Sequence, residues 1–221
     1  MKTQVISIIQ SKGGAGKTTL LIALATAMAN DGARIAVIDT DPQKNTYDFC
    51  EAYPNFNFDY EYITDANVIG PVINKLKESG YDAIFIDTAG FDSSMVTFVT
   101  ANSDLVLVPS KADQNNVVGA VKTYSLIQST CMNMNKDIAV YVVMMDIDRA
   151  TNITKKVVAE ILEAKIPLMR TFVGHATGFK EMLTEGIIHK SGATRKNIEA
   201  LMCELQMKNM LEFYKTKLEV A

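Results

Sequence analysis

Gln10-Ser11-Lys12-Gly13-Gly14-Ala15-Gly16-Lys17-Thr18-Thr19 is the stretch on which the reading of the fold turns. An apolar run, Val5-Ile6-Ser7-Ile8-Ile9, precedes it, and a helical pattern from Leu20 to Ala29 follows. Strand, glycine loop and helix in that order form the context in which a phosphate-binding loop works. The glycines let successive backbone N–H groups turn inward onto a polyphosphate, while the helix directs the positive end of its dipole at the same charge. Lys17 is placed to reach the β- and γ-phosphates, and the Thr18 hydroxyl to ligate Mg²⁺. Gly13, Gly14, Ala15, Gly16 and Thr19 complete the predicted nucleotide-binding loop.

The general pattern asks for glycine at the position of Ser11 and does not ask for Lys12. The string Lys12-Gly13-Gly14-Ala15-Gly16-Lys17-Thr18-Thr19 resembles the deviant Walker A loop of the ParA/MinD ATPases. The resemblance implies that Lys12 crosses a dimer interface to the partner's nucleotide. A glycine-rich turn with two solvated lysines is the plain alternative; the whole string between a strand and a helix argues against it.

Apolar, β-branched runs recur between helical patterns. Strands are predicted at Val5–Ile9, Ile35–Ile38, Ala83–Ile86, Leu105–Val108 and Ile138–Met145, with a shorter one near Ile166–Phe172. Helices are predicted to start near Lys17, Lys44, Ala66, Ser93, Asn115, Asn152 and Ser191. Strands built almost wholly of Val, Ile and Leu are buried on both faces, which means a parallel sheet covered by helices. The alternating aromatics of Tyr53 to Tyr62 suit a half-buried edge strand. No Pro/Gly/Ser linker, repeat or low-complexity stretch interrupts the pattern. The expectation is α/β: one doubly wound, mostly parallel sheet over residues 1–221, with a C-terminal helix at 191–218 packed on it.

At 221 residues the chain is long enough for one large core, and 48% apolar with 21% charged residues is ordinary for a soluble protein. No apolar run approaches the roughly 20 residues of a membrane span, and the first strand opens without a leader, so a cytoplasmic location is expected. Cys50, Cys131 and Cys203 are odd in number and far apart, which fits buried, reduced thiols better than a disulfide or metal framework. His175 and His189 stand alone and are not read as metal ligands. Charge is uneven. Residues 1–110 carry 7 Lys/Arg against 13 Asp/Glu, and residues 111–221 carry 15 against 12. The basic excess centres on 149–196, an electrostatic footprint that could serve an anionic polymer.

Ligands of such sheets sit beyond the carboxyl ends of the strands, and the chemical candidates fall there. Ile84-Phe85-Ile86-Asp87 has the form of a Walker B strand, whose carboxylate holds Mg²⁺ through water. Thr88-Ala89-Gly90 continues it as a switch-like loop in which the Gly90 N–H could sense the γ-phosphate. Asp39-Thr40-Asp41-Pro42-Gln43 resembles the first switch of ParA proteins. That resemblance implies that Asp41 orients the attacking water and that Asp39 lies near Mg²⁺; a polar turn with Pro42 opening a helix is a compatible reading. Hydrolysis at a γ-phosphate needs positioning and charge compensation more than covalent chemistry, and Lys12 and Lys17 with Mg²⁺ would supply the latter. Asp104-Leu105-Val106-Leu107-Val108-Pro109 resembles the family's fourth strand. Asp146, after the next strand, takes the place where adenine is generally contacted. ATP is expected because the Asn-Lys-x-Asp run of guanine readers is absent. Where family members often carry Pro-Arg, this chain has Phe172-Val173-Gly174-His175.

The resemblance is to the short ParA class, which includes plasmid partition ATPases and ParA-like proteins of conjugative DNA transfer. It implies an ATP-dependent homodimer that binds duplex DNA non-specifically, associates with the nucleoid in that state, and is reset by an adaptor protein that stimulates hydrolysis. Arg149, Lys155, Lys156, Lys180 and Arg195 are the candidate DNA contacts. Two alternatives share the loop. A MinD-type membrane cycle would use an amphipathic stripe from Ile198 to Leu218, but four Glu from Glu199 onward sit poorly on an anionic surface, so membrane binding is not expected. A metabolic ATP-dependent enzyme would need a substrate pocket of its own; the three cysteines do not supply the cluster ligands of reductase relatives.

Overall fold

Alternate residues of the first strand face opposite layers: Ile6 and Ile8 join one hydrophobic cluster, Val5 and Ile9 another. The same division runs through the sheet and explains why its central strands carry almost no polar residues. The computed structural model describes residues 2–89, 92–148, 150–211 and 213. The chain runs through β1 (Gln4–Gln10), α1 (Lys17–Asn30), β2 (Ile35–Asp39), α2 (Asn45–Ala52), β3 (Asp59–Tyr62), α3 (Ala66–Glu78), β4 (Ala83–Ala89) and α4 (Ser93–Asn102). It continues through β5 (Leu105–Ser110), α5 (Gln114–Met134), β6 (Ala139–Ile147), α6 (Asn152–Glu163), β7 (Val173–Gly174), α7 (Thr177–Glu185) and α8 (Gly192–Met207).

These strands form one seven-stranded sheet in the order β3-β2-β4-β1-β5-β6-β7, every pairing parallel. Helices α1, α2, α7 and α8 cover one face, with Leu20, Phe49, Met182 and Leu201 in its core. Helices α3 to α6 cover the other, with Ile69, Val96, Val117 and Ile161. From β1 the chain crosses outward to β2, and from β4 it crosses the other way to β5. The strand order therefore reverses between β1 and β4, and a crevice opens at their carboxyl ends. Four helix starts are closed by their N-cap side chains: Asp65, Asp92, Asp113 and Thr151 accept from the first-turn N–H groups of α3, α4, α5 and α6. Among the described residues no helix is long and apolar enough to cross a membrane.

Five expectations are corrected. The short strand near Ile166–Phe172 is displaced: pairing there is a single bridge, Val142 to Leu168, and β7 is Val173–Gly174. The N–H groups of Arg170 and Thr171 are taken by the Glu204 carboxylate at 2.9 and 2.7 Å, so they donate to α8 and not to the ladder. Helix α7, where no helix was expected, packs Phe179 and Met182 into the core. The C-terminal helix, expected to reach 218, ends at Met207. Asn209 adopts a left-handed φ of 59°, and the N–H groups of Asn209 and Met210 donate to Gln206 O and Leu205 O, the bond pair of a Schellman ending. Residues 212 and 214–218 of that expected helix lie outside the described residues. Pro42 does not open α2; it follows Asp41 in a turn closed by Lys44 N to Asp41 O at 2.8 Å. Cys50 and Cys131 are buried as expected, while Cys203 is exposed.

Candidate functional site

The glycine loop joins β1 to α1, and its backbone explains its composition. Gly14 and Gly16 have φ of 75° and 101°, a region that a Cβ disfavours. Gly16 is the residue before α1 and offers no side-chain cap, so the first N–H groups of that helix are left for a ligand. Ala15 is buried beneath the loop, and Lys12, Gly13 and Gly14 are exposed.

The loop is braced from behind by α5. Gln10 is fully buried; its Nε2 donates to Pro109 O at 3.0 Å and Asn116 O at 3.3 Å, and its Oε1 accepts from Lys12 N and Thr123 Oγ1, both at 3.3 Å. Ser11 N donates to Thr123 Oγ1 at 3.1 Å. A Cβ on Gly119 would stand 2.8 Å from Gln10 Oε1 and 3.1 Å from Lys12 Cβ, so glycine is what lets the helix approach so closely. The sequence reading missed this role of Gln10 and missed Asn116, Gly119 and Thr123, because contacts between a strand end and a distant helix carry no motif.

Beside the loop, Asp87 at the end of β4 is buried, and its Oδ2 accepts from Thr18 Oγ1 at 2.8 Å and from Thr46 Oγ1 at 2.5 Å. Its Oδ1 is buried without a hydrogen-bond partner. Burial pushes the Asp87 carboxyl above its ordinary range, opposed by the two hydroxyls and the Lys17 ammonium. An unpaired buried carboxylate oxygen with two hydroxyls beside it fits a hard cation and its waters. Among the described residues no three His, Cys, Asp or Glu cluster as a closed metal cage.

Asp39, at the end of β2, anchors the segment that follows it. Its Oδ1 accepts from Asp41 N at 2.8 Å, and its Oδ2 from Thr46 N and Tyr47 N, each at 2.9 Å. Both oxygens thus hold the backbone between β2 and α2, and Asp39 stands level with Asp87 on the neighbouring strand. Burial pushes its carboxyl up to about 6, against the pull of those N–H groups. Asp41, by contrast, faces the cleft, with its Oδ1 accepting from Gln43 N at 2.9 Å.

That cleft holds about 350 Å³. At one end it is lined by Gly13, Gly14, Lys17, Thr18 and Thr19, expected to bind phosphate, and by Asp41, expected to orient the attacking water. The other end is apolar, with Met145, Val173, Phe179 and Leu183, edged by Asp146, His175, Lys111 and Lys180. Asp146 is where the base was expected. Lys12 lies outside this lining, exposed at its rim.

The expected DNA contacts divide. Lys155 and Lys156 are exposed on α6. Lys180 is exposed on α7 and also lines the cleft. Arg195 is corrected: its side chain is 16% exposed and pairs with Glu199 at 2.6 Å and Asp31 at 3.2 Å. Arg149 and Gly90 lie outside the described residues. Ile198, Leu201, Met202 and Leu205, the apolar stripe weighed for a membrane, are buried in the core, so α8 keeps that face for the sheet.

A protein-family model described as VirC1 protein matches residues 3–213. The protein virC1 of Rhizobium rhizogenes is 25% identical over 199 residues, covering 84% of this chain and 83% of that protein. Among solved structures, apo McdA from Cyanothece superposes with a TM-score of 0.75 at 16% identity, covering 92% of this chain and 99% of its own. A Borrelia burgdorferi plasmid partition protein bound to AMPPNP superposes with a TM-score of 0.72 at 18% identity, covering 94% and 100%. These structures share the ParA/MinD-type P-loop fold with the chain.

Proposed function

This chain belongs to the VirC1 family, and on that premise we propose that it is a ParA-type, Mg²⁺-dependent ATPase. It dimerises on ATP, binds duplex DNA without sequence preference, and is reset when an adaptor protein stimulates hydrolysis. The task served is segregation or positioning of plasmid DNA, transfer DNA or another cargo. The observation that carries this reading is the meeting of Lys17, Thr18 and Asp41 in one cleft, with Asp87 bonded behind Thr18.

Each residue then has a physical task. The open first turn of α1 and the glycine-loop N–H groups hold the phosphates, and Lys17 neutralises them. Thr18 and Asp87 would hold Mg²⁺, whose charge would offset that of the phosphoryl oxygens. Asp41, at the cleft surface, accepts a hydrogen bond from the attacking water and orients it. Lys12, exposed at the rim, is free to reach a nucleotide held by a second copy. Lys155 and Lys156 supply phosphate contacts for DNA.

The experiment is binding to arbitrary duplex DNA with ATP, with ADP and without nucleotide, each over a salt series. ATP-dependent, salt-sensitive binding is expected; DNA binding indifferent to nucleotide would remove the switch from this account. In parallel, Lys17→Ala should abolish nucleotide binding, while Asp41→Ala should bind ATP and dimerise without turning it over. Undiminished hydrolysis by Asp41→Ala would overturn the role given to that carboxylate.

A further inference from the structure

Asp146 occupies an unusual position for a strand residue. Its φ is 57°, and the pairing of β6 with β7 slips at this point, with Met145 opposite Val173 and Ile147 opposite Gly174. Asp146 is the extra residue of that bulge. Bulges re-aim side chains beside functional sites, and a non-glycine residue at positive φ persists only where its surroundings fix it. Here the result is a short hydrogen bond, 2.6 Å, between Asp146 Oδ1 and His175 Nδ1. Both residues line the apolar end of the cleft. The backbone that carries His175 is held from α8: Gly174 N donates to Asn197 Oδ1 at 3.3 Å, and Asn197 Nδ2 donates to Gly174 O at 3.1 Å.

From this geometry we propose that His175 reads the purine base and that Asp146 is its positioning residue, selecting a 6-amino over a 6-oxo purine. This rests on the nucleotide reading of the cleft given above. The argument is one of donors and acceptors. An ionised carboxylate only accepts, so the hydrogen in the Asp146–His175 bond belongs to Nδ1. A neutral imidazole carries one such hydrogen, and its Nε2 is then an acceptor. Adenine presents an amino donor at position 6, whereas guanine and hypoxanthine present an oxygen acceptor that would face the Nε2 lone pair. The other charged groups at this end are Lys111, 4.0 Å from Asp146 Oδ2, and Lys180 on α7. These cations lie with the carboxylate at the cleft edge, and Asp146 is the acceptor of the shared hydrogen. His175 and Asp146 side chains are 60% and 47% exposed, so replacing them leaves the core intact.

The test compares ADP with IDP, which differ at position 6 and are not hydrolysed at a γ-phosphate, by calorimetry with Mg²⁺. The unaltered protein should bind ADP about tenfold more tightly than IDP, the scale of one mismatched hydrogen bond at a partly exposed site. In His175→Ala the ratio should fall to about one, and in His175→Arg, which only donates, it should favour IDP. In Asp146→Asn the ratio should also fall, and the imidazole ¹⁵N shifts of His175 should move from the Nδ1–H tautomer to a mixture. Equal binding of ADP and IDP by the unaltered protein, or a ratio unchanged in His175→Ala, would overturn the proposal while leaving the nucleotide site standing. An unchanged tautomer in Asp146→Asn would remove Asp146 from it. Binding of neither nucleotide would overturn both this proposal and the reading on which it rests.

Discussion

Thr46 Oγ1 donates to Asp87 Oδ2 at 2.5 Å, the same carboxylate oxygen that accepts from Thr18 Oγ1 at 2.8 Å. Thr46 lies in the first turn of α2, directly after the loop that carries Asp41, and Thr18 opens α1. One buried carboxylate oxygen therefore joins the glycine-loop helix to the segment after β2. Movement of either changes the environment of Asp87.

Replacement of Thr46 tests this junction. Thr46→Val keeps the shape and deletes a hydroxyl bonded to a buried carboxylate, a loss of about 1–3 kcal/mol. Chemical denaturation without nucleotide should show that loss, and Thr46→Ser should restore most of it. Wild-type stability in Thr46→Val would mean the contact contributes nothing.

Asp39 gives the nucleotide-free protein a pH dependence of definite sign. Its carboxyl is raised from 3.8 to about 6, so over that interval the native state holds a proton that the unfolded chain has released. Stability is then undiminished below the lower value and falls as pH rises to about 6. Asp87, also raised, contributes a slope of the same sign. Asp39→Asn should flatten the pH 4–6 segment in metal-free buffer. It should also lower stability at pH 7, because an amide NH₂ cannot accept from backbone N–H groups. A variant with the wild-type slope would show that Asp39 does not titrate there.

Gly119 on α5 touches no expected ligand, yet its variant should weaken nucleotide binding. A methyl group there meets Gln10 Oε1 at 2.8 Å and Lys12 Cβ at 3.1 Å, so either the helix or the loop must shift. Overpacking of this kind costs about 1–3 kcal/mol. Gly119→Ala should lower both the melting temperature and the affinity for ADP. Unchanged affinity would mean that the bracing from α5 does not reach the phosphate-binding loop.

The two classes of basic residue in the last third should separate in a salt titration of DNA binding. Lys155→Ala with Lys156→Ala should reduce the slope of log affinity against log salt by about 2, one per lost phosphate contact. Arg195→Ala should leave that slope alone and cost about 1 kcal/mol of stability by opening its pairs with Glu199 and Asp31. The reverse pattern would move the DNA-facing surface from α6 to α8.

The sequence by itself determined the parallel α/β architecture and the phosphate end of the cleft. Those rest on local order: an apolar strand, a glycine loop and a helix must be consecutive to bind phosphate, and strands buried on both faces must be apolar throughout. Asp41, just beyond β2, and Asp87, near the end of β4, were legible because both lie near strand carboxyl ends that face the crevice. What only the tertiary structure decided lies across the chain. The hydroxyl of Thr46 reaches Asp87 41 positions later, and Thr123 reaches Gln10 across 113. Arg195 spends its charge on Asp31, 164 positions away, although its local sequence reads as part of a basic patch. The pairing of Asp146 with His175 depends on a bulge and a left-handed residue that no periodicity announces. A motif records what adjacent residues must do together; a brace, an ion pair or a re-aimed side chain exists only once packing has brought distant residues into contact.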